Sequence, residues 1–128
     1  MSTSPDGTRL HALRGAITVE RNDAEAILSA TRELLSELIA RNELRPEQMV
    51  SCIFSATADL DAEFPAVAAR DLGLNAVPLL CTQEIDVAGA LPRVIRVLLH
   101  YYAADGQEAQ HVYLREARTL RADLDSAQ

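Results

Sequence analysis

Arg96 is the residue whose setting most demands an explanation in chemistry. It interrupts the apolar run Val94-Ile95-Arg96-Val97-Leu98-Leu99, so in an extended chain its guanidinium leaves the strand on the side of Val94 and Leu98. A cation placed there needs an anionic partner. Residue types alone favour a plain answer over a ligand's anion: a salt bridge to Glu84 or Asp86, or a strand face open to water. Arg14, in a second alternating segment, reads the same way. Glu84 and Asp86 lie two apart and share a side if extended, yet two carboxylates without a His cluster make a poor metal site. Cys81 has no neighbouring His to activate a thiol, so its spacing suggests a small buried apolar residue. His11, His100 and His111 alternate with apolar residues and read as solvated or hydrogen-bonded imidazoles. Tyr113 reads as strand packing whose hydroxyl finds a partner. There is no glycine-rich phosphate loop, nucleophile elbow or Cys-x-x-Cys pair, so no cofactor and no metal are expected. Taken singly, these residues imply at most an arginine-lined anion site.

The elements that must position them follow from periodicity. From Leu10 to Val19 the chain alternates, with Leu13, Gly15, Ile17 and Val19 on one face and Arg14 on the other, which predicts a first strand. Asn22 or Asp23 can cap a helix, and Ile27, Leu28, Thr31, Leu34, Leu35, Leu38 and Ile39 recur at helical spacing to about Arg41. Met49 to Ser55 predicts a buried strand. Phe64-Pro65-Ala66 opens a shorter helix that leaves at Gly73. Ala76 to Thr82 predicts a strand near a sheet edge because of Pro78. Arg93 to Tyr102 and His111 to Ala117 complete the set. The order β-α-β-α-β-β-β predicts an α+β (mixed α/β) domain with a mixed sheet of about five strands and two helices. The helices cover one sheet face, and the other face and the edges find cover in copies of the same chain.

A length of 128 residues, 48% of them apolar, allows one core and excludes multidomain machinery. Residues 1–8 read as a flexible leader, 9–124 as the single domain and 125–128 as a C-terminal tail. A net charge of −7 argues against general attraction to nucleic acid or an anionic membrane, so any bound anion must be held locally. All twelve basic residues are Arg, a bias that a GC-rich genome explains without function. Two Cys without metal-type spacing or a secretory signal predict a reduced cytoplasmic protein. The longest apolar stretches, Ala76 to Cys81 among them, fall far short of the roughly 20 residues a membrane span needs.

Read together, the same residues fall into an ordered set of words. They are Arg-Gly-Ala-Ile-Thr-Val-Glu-Arg (14–21), Ser-Ala-Thr-Ala-Asp-Leu (55–60), Phe-Pro-Ala (64–66), Cys-Thr-Gln-Glu-Ile-Asp-Val (81–87), Ile-Arg-Val (95–97), His-Val-Tyr-Leu (111–114) and Leu-Arg-Ala-Asp-Leu (120–124). In this order the sequence resembles the monofunctional, trimeric, barrel-type chorismate mutases, over nearly the whole chain from Leu13 to Leu124. The strand pattern excludes the all-helical chorismate mutase class.

The resemblance implies conversion of chorismate to prephenate by an intramolecular Claisen rearrangement, without cofactor, covalent intermediate or proton transfer. It further implies a homotrimer, a pseudo-barrel with sites at the subunit interfaces. By position, Arg96 matches the arginine beside the substrate's ether oxygen. Arg14 matches the arginine that grips a carboxylate, and Tyr113 the tyrosine that hydrogen-bonds to it. Glu84 and Cys81 match residues that contact the ring hydroxyl. Phe64, Ala66, Leu79 and Leu120 match apolar walls, while Arg70 and Arg121 match arginines at the mouth. The chain departs from the family pattern at Val67, where many members carry Lys, and at Leu80, which replaces a Thr in the substrate-binding set. The turn at Gly73 also departs, being one residue shorter and lacking a Trp. Losing the lysine should weaken substrate capture and leave the ether chemistry unaffected.

Two other readings remain open. Enamine/imine deaminases share the trimeric architecture and also bind a carboxylate with an interface arginine, but Glu84 and Tyr113 suit chorismate better. A non-catalytic module for a small aromatic or dicarboxylate ligand is the other, and an intact Arg14, Glu84 and Arg96 argue against it.

Overall fold

The protein is described by a computed structural model over residues 7–121. Its elements are β1 (Thr8–Thr18), α1 (Ala24–Asn42), β2 (Met49–Ala56), α2 (Ala66–Asp71), β3 (Leu79–Gln83), β4 (Val94–Ala104) and β5 (Val112–Leu114). One sheet runs in the order β3-β2-β4-β1-β5. Its centre is antiparallel, β4 pairing with β1 and β2, and each edge strand joins in parallel, β3 on β2 and β5 on β1. The expected class and element order are therefore present. Residues 1–6 of the expected leader, 122–124 of the expected domain and the expected tail, 125–128, lie outside the described residues, and Thr8, expected in the leader, opens β1.

α1 forms where the sequence places it. Asp23 accepts a 2.8 Å hydrogen bond from the Ala26 N–H, and its carboxylate and Glu25 suit the helix's positive end. Ile27, Leu34, Leu35 and Leu38 are fully buried, each worth about 1.5–3 kcal/mol of apolar burial. They pack on Leu13 and Ile17 of β1, Cys52 and Phe54 of β2, and Ile95, Val97, Leu99 and Tyr101 of β4. The helix ends at Glu43 in a left-handed conformation, φ 51°.

Strand alternation then fixes the other face. If the odd-numbered residues of β4 meet the helix, Arg96, Leu98, His100 and Tyr102 point away from it. The register carries that parity across the sheet: Arg14 lies opposite Leu98, Ser55 opposite Arg96, and Leu80 opposite Ile53. Neither α1 nor α2 covers this face; at one end the C-terminal turn through Ala117 and Leu120 buries Ala16 and Val94, and the rest stays open. Leu80, Tyr102 and Val50 at the bulge in β2 are exposed.

Most strand ends fall within two residues of expectation, β1 running over Thr8–Thr18 and β4 over Val94–Ala104, and the start of β3 and the end of β5 depart further. β3 starts at Leu79 rather than Ala76, because Pro78 has no N–H to give, although its carbonyl accepts from Cys52 at the sheet edge. β5 stops at Leu114 rather than Ala117 and passes into a 3-10 turn over Arg115–Ala117. The reason lies in β1, which ends at Thr18. Arg115 donates to the Thr18 carbonyl at 3.1 Å and to Glu33 at 2.8 Å, and the Glu116 N–H donates to the Thr18 hydroxyl at 3.2 Å. Those bonds satisfy groups that a longer strand would have paired.

Gly15 lets α1 sit this close. A Cβ there would lie 2.9 Å from Leu38 Cδ1 and 3.1 Å from both Leu34 Cδ1 and Val97 Cγ1. Gly15→Val should lower stability by about 1–3 kcal/mol through overpacking, read as a lower urea midpoint with an unchanged slope.

Candidate active site

On the open part of the face turned away from α1, Arg14 of β1, Ser55 of β2, Arg96 of β4 and Tyr113 of β5 line a pocket of about 210 Å³ together with Glu84, Ile53 and Leu98. Glu84 follows β3 directly, and its N–H extends that ladder by donating to the Ala56 carbonyl at 2.9 Å. Its carboxylate has two neighbours. The Ser55 hydroxyl donates to Oε2, and Arg96 Nε lies 3.3 Å from Oε1.

The Arg96–Glu84 pair is a charge contact rather than a closed fork. Arg96 Nε is buried, yet its N–H is not aligned for a hydrogen bond with any group, and the two side chains are 40% and 30% exposed. So open a pair stabilises the fold by about 0–1 kcal/mol. Two guanidiniums face one carboxylate in the pocket, an excess of positive charge suited to a small anion. The expected internal partner of Arg96 is therefore present in Glu84, and Arg96 also lines the pocket.

Leu120 joins this cluster, because a neighbouring cleft of about 450 Å³ is lined by Leu120 and Thr119 and shares Arg96 and Glu84. Arg121, exposed at the end of the described chain, is near enough for its charge to act on His111. The other anticipated residues lie elsewhere. Phe64, 65% exposed, and Cys81 line a second cleft of about 430 Å³ beside Pro65 and Thr57. Cys81 and Leu79 share the helix-side parity of β3 and pack against the core, while Ala66 is buried within it. Arg70 is exposed on α2. Leu80 stands on the open face but outside the Arg96 pocket. One chain therefore brings together Arg14, Glu84, Arg96, Tyr113 and Leu120, and leaves Phe64, Ala66, Arg70, Leu79 and Cys81 apart from them.

Sequence reasoning missed Ser55. Its signal was available: within Met49 to Ala56, Ser55 is a polar break two residues from Ile53, hence on one face with it. It also reads His111 as unremarkable, whereas His111 Nδ1 accepts the backbone N–H of Arg14 at 3.0 Å. Both cysteines are free thiols, and burial, with Cys81 nearby, pushes the Cys52 thiol up to about 12. Among the described residues no cluster of His, Cys, Asp or Glu could hold a metal ion.

Comparison with known proteins decides the family. Residues 10–124 match the family model for chorismate mutase type I. The chain is 50% identical over 121 residues to the chorismate mutase AroH of Thermus thermophilus, covering 93% of this chain and 99% of that one. It is 44% identical over 117 residues to the AroH of Bacillus subtilis strain 168, covering 90% and 92%. The chain belongs to the chorismate mutase type I family. A solved chorismate mutase from Clostridium thermocellum superposes with a TM-score of 0.81 at 43% identity, over 85% of this chain and 98% of that one. This chorismate mutase kinship removes the deaminase reading, which rested on shared architecture alone.

His111 generates a prediction for this chorismate mutase fold. Burial first, then the charges of Arg14 and Arg121, hold its imidazole below the ordinary value of 6.5. The unfolded chain binds that proton more readily, taking it up as pH falls through about 6.5. The contribution to stability is thus complete above that pH and is lost as pH drops from there toward the lower folded-state value. Urea midpoints at about pH 7.5 and about pH 5.5 should differ in this sense, and less so in His111→Asn.

Proposed function

We propose that this protein converts chorismate to prephenate by an intramolecular Claisen rearrangement at a site built around the Arg96 pocket. One carbon–oxygen bond of the enolpyruvyl ether breaks as one carbon–carbon bond to the ring forms. Atoms and charge are conserved without a co-reactant, so no nucleophile or acid/base pair is required. The observation that carries the reading is the Arg96 guanidinium, held beside Glu84 but not locked to it, in a pocket shared with Arg14 and Tyr113.

The substrate is a dianion with two carboxylates, an ether oxygen and a ring hydroxyl. Arg14 and Tyr113 receive a carboxylate. Arg96 faces the ether oxygen, where negative charge grows as the bond breaks, so its field helps the transition state more than the ground state. Glu84, fixed by Ser55, and Cys81 meet the ring hydroxyl. Phe64, Ala66, Leu79, Leu80 and Leu120 form the walls and backbone contacts, with Arg70 and Arg121 at the mouth. Holding the flexible arm over the ring removes rotational freedom before reaction. A rate gain of about 10⁶ needs roughly 8 kcal/mol, which these two effects share.

The working form in this reading is a homotrimer with three sites between subunits. What supports it is the division of the site residues: the cluster around Arg96 lines one pocket on the open face and the residues around Phe64 and Cys81 line a separate cleft at the β3 edge. A head-to-tail threefold interface would bring one subunit's first cluster to the next subunit's second, and would cover the exposed face as well. The compartment in this reading is the cytoplasm. No helix of the described residues is long and apolar enough to cross a membrane.

Two measurements test this. Loss of chorismate absorbance should be rapid with the purified protein and about 10²–10³ slower with Arg96→Ala. Arg96→Lys should also be poor, because a point charge cannot keep the planar geometry. The thermal midpoint should hardly move, given how little the exposed pair contributes. An inactive wild type, or an equally active Arg96→Ala, overturns the assignment. Light scattering should give about 42 kDa, three times the 14.0 kDa chain; a monomer would remove the interface site.

A further inference from the structure

The N–H of a residue in the middle of a strand must find an acceptor. Backbone pairing between β1 and β5 begins at Gly15 with Val112. Arg14 lies one residue before that rung, and its amide reaches the imidazole Nδ1 of His111 at 3.0 Å. The side chain thus takes the place of a backbone carbonyl and adds a rung to a ladder only three residues long.

The segment entering β5 is also held from its other side. Asn42, 2% exposed at the end of α1, accepts the Gln110 N–H at 2.7 Å and donates to the Gln110 carbonyl at 3.0 Å. Its amide donates as well to the Leu38 carbonyl at 2.9 Å. Gln110 is therefore tied to α1, and His111, next in the chain, to β1. Two residues beyond His111 comes Tyr113, paired with Ala16, which is two residues beyond Arg14.

We propose that His111 is a positioning residue for the carboxylate-binding pair: as a neutral acceptor at Nδ1 it sets the Arg14 backbone against β5, and so Arg14 against Tyr113. The inference rests on the functional reading given above. Nδ1 can accept only when unprotonated, which puts the proton of the neutral ring on Nε2. The surroundings favour that form: burial first, then the guanidinium of Arg14 from β1 and that of Arg121 from the C-terminal turn, while what α1 brings to this segment is the neutral amide of Asn42, by way of Gln110. His111 does not touch the reacting atoms, so its removal should loosen substrate binding more than it slows the chemistry.

Steady-state kinetics on chorismate with His111→Leu and His111→Asn test this. The Asn Oδ1 stands where Nδ1 did and can accept the same amide, whereas Leu cannot. His111→Leu should raise KM by about tenfold with kcat changed by less than about threefold, and His111→Asn should return KM to within about threefold of wild type. Arg14→Ala, assayed alongside, should also raise KM. If His111→Leu does not fold, His111→Gln, whose acceptor is misplaced by one bond, should show the raised KM instead. Equal defects in the Asn and Leu variants, a defect confined to kcat, or no defect in either Leu or Gln overturns the proposal. An inactive wild type defeats the functional reading itself. An active wild type whose KM responds to Arg14→Ala and not to His111→Leu defeats this inference alone.

Discussion

The close seat of α1 on the sheet at Gly15 governs everything else in this molecule. Leu34, Leu38 and Val97 press on that position, so one parity of each strand belongs to the core and the other is turned away. Arg14 precedes Gly15 and is therefore turned away, and the pairing of Gly15 with Val97 does the same to Arg96. A slip of one residue would bury both guanidiniums under a helix of leucines. The apolar half of the structure thus places the charged half, with no need for the charges to stabilise the fold.

The charges themselves are arranged for use. A guanidinium sealed against a carboxylate in a bidentate fork offers nothing to a ligand. Here Ser55 takes one Glu84 oxygen, and Arg96 approaches the other at 3.3 Å without alignment. The carboxylate keeps the cation nearby and leaves its hydrogen-bonding edge available. Such a pair adds little stability, yet a fixed dipole in the pocket suits a reaction in which charge moves and no proton is transferred. The negative charge of the whole chain makes this local concentration of arginine the feature that admits an anion.

Each edge of the sheet solves a different problem. β3 enters behind Pro78 and hands the chain to Glu84 one residue past its end. β5 is too short to hold itself and borrows bonds from side chains: His111 before it, and Arg115 and Glu116 after it. Both edges carry residues of the candidate site, so the short strands are where that pocket meets a core that is otherwise generic.

Most of the architecture was legible in the chain alone, because it rests on short-range rules. The cap at Asp23, the helical spacing from Ile27 to Leu38, the alternation around Arg96 and the glycine exit at Gly73 each follow from neighbours in sequence. The ordered words from Arg14 to Leu124 also pointed to the chorismate mutases, and the family comparison agrees. What no local rule supplied was the partner of each polar group. That Glu84 rather than Asp86 meets Arg96, that Ser55 holds Glu84, and that His111 serves Arg14 across 97 residues depend on register between strands distant in sequence. The early end of β5 likewise depended on where β1 stopped. Sequence settled which face each side chain occupies, since a strand's period is local. Only the folded sheet settled what waits on the other side, since hydrogen bonds and charge contacts are made between segments whose meeting no single segment encodes.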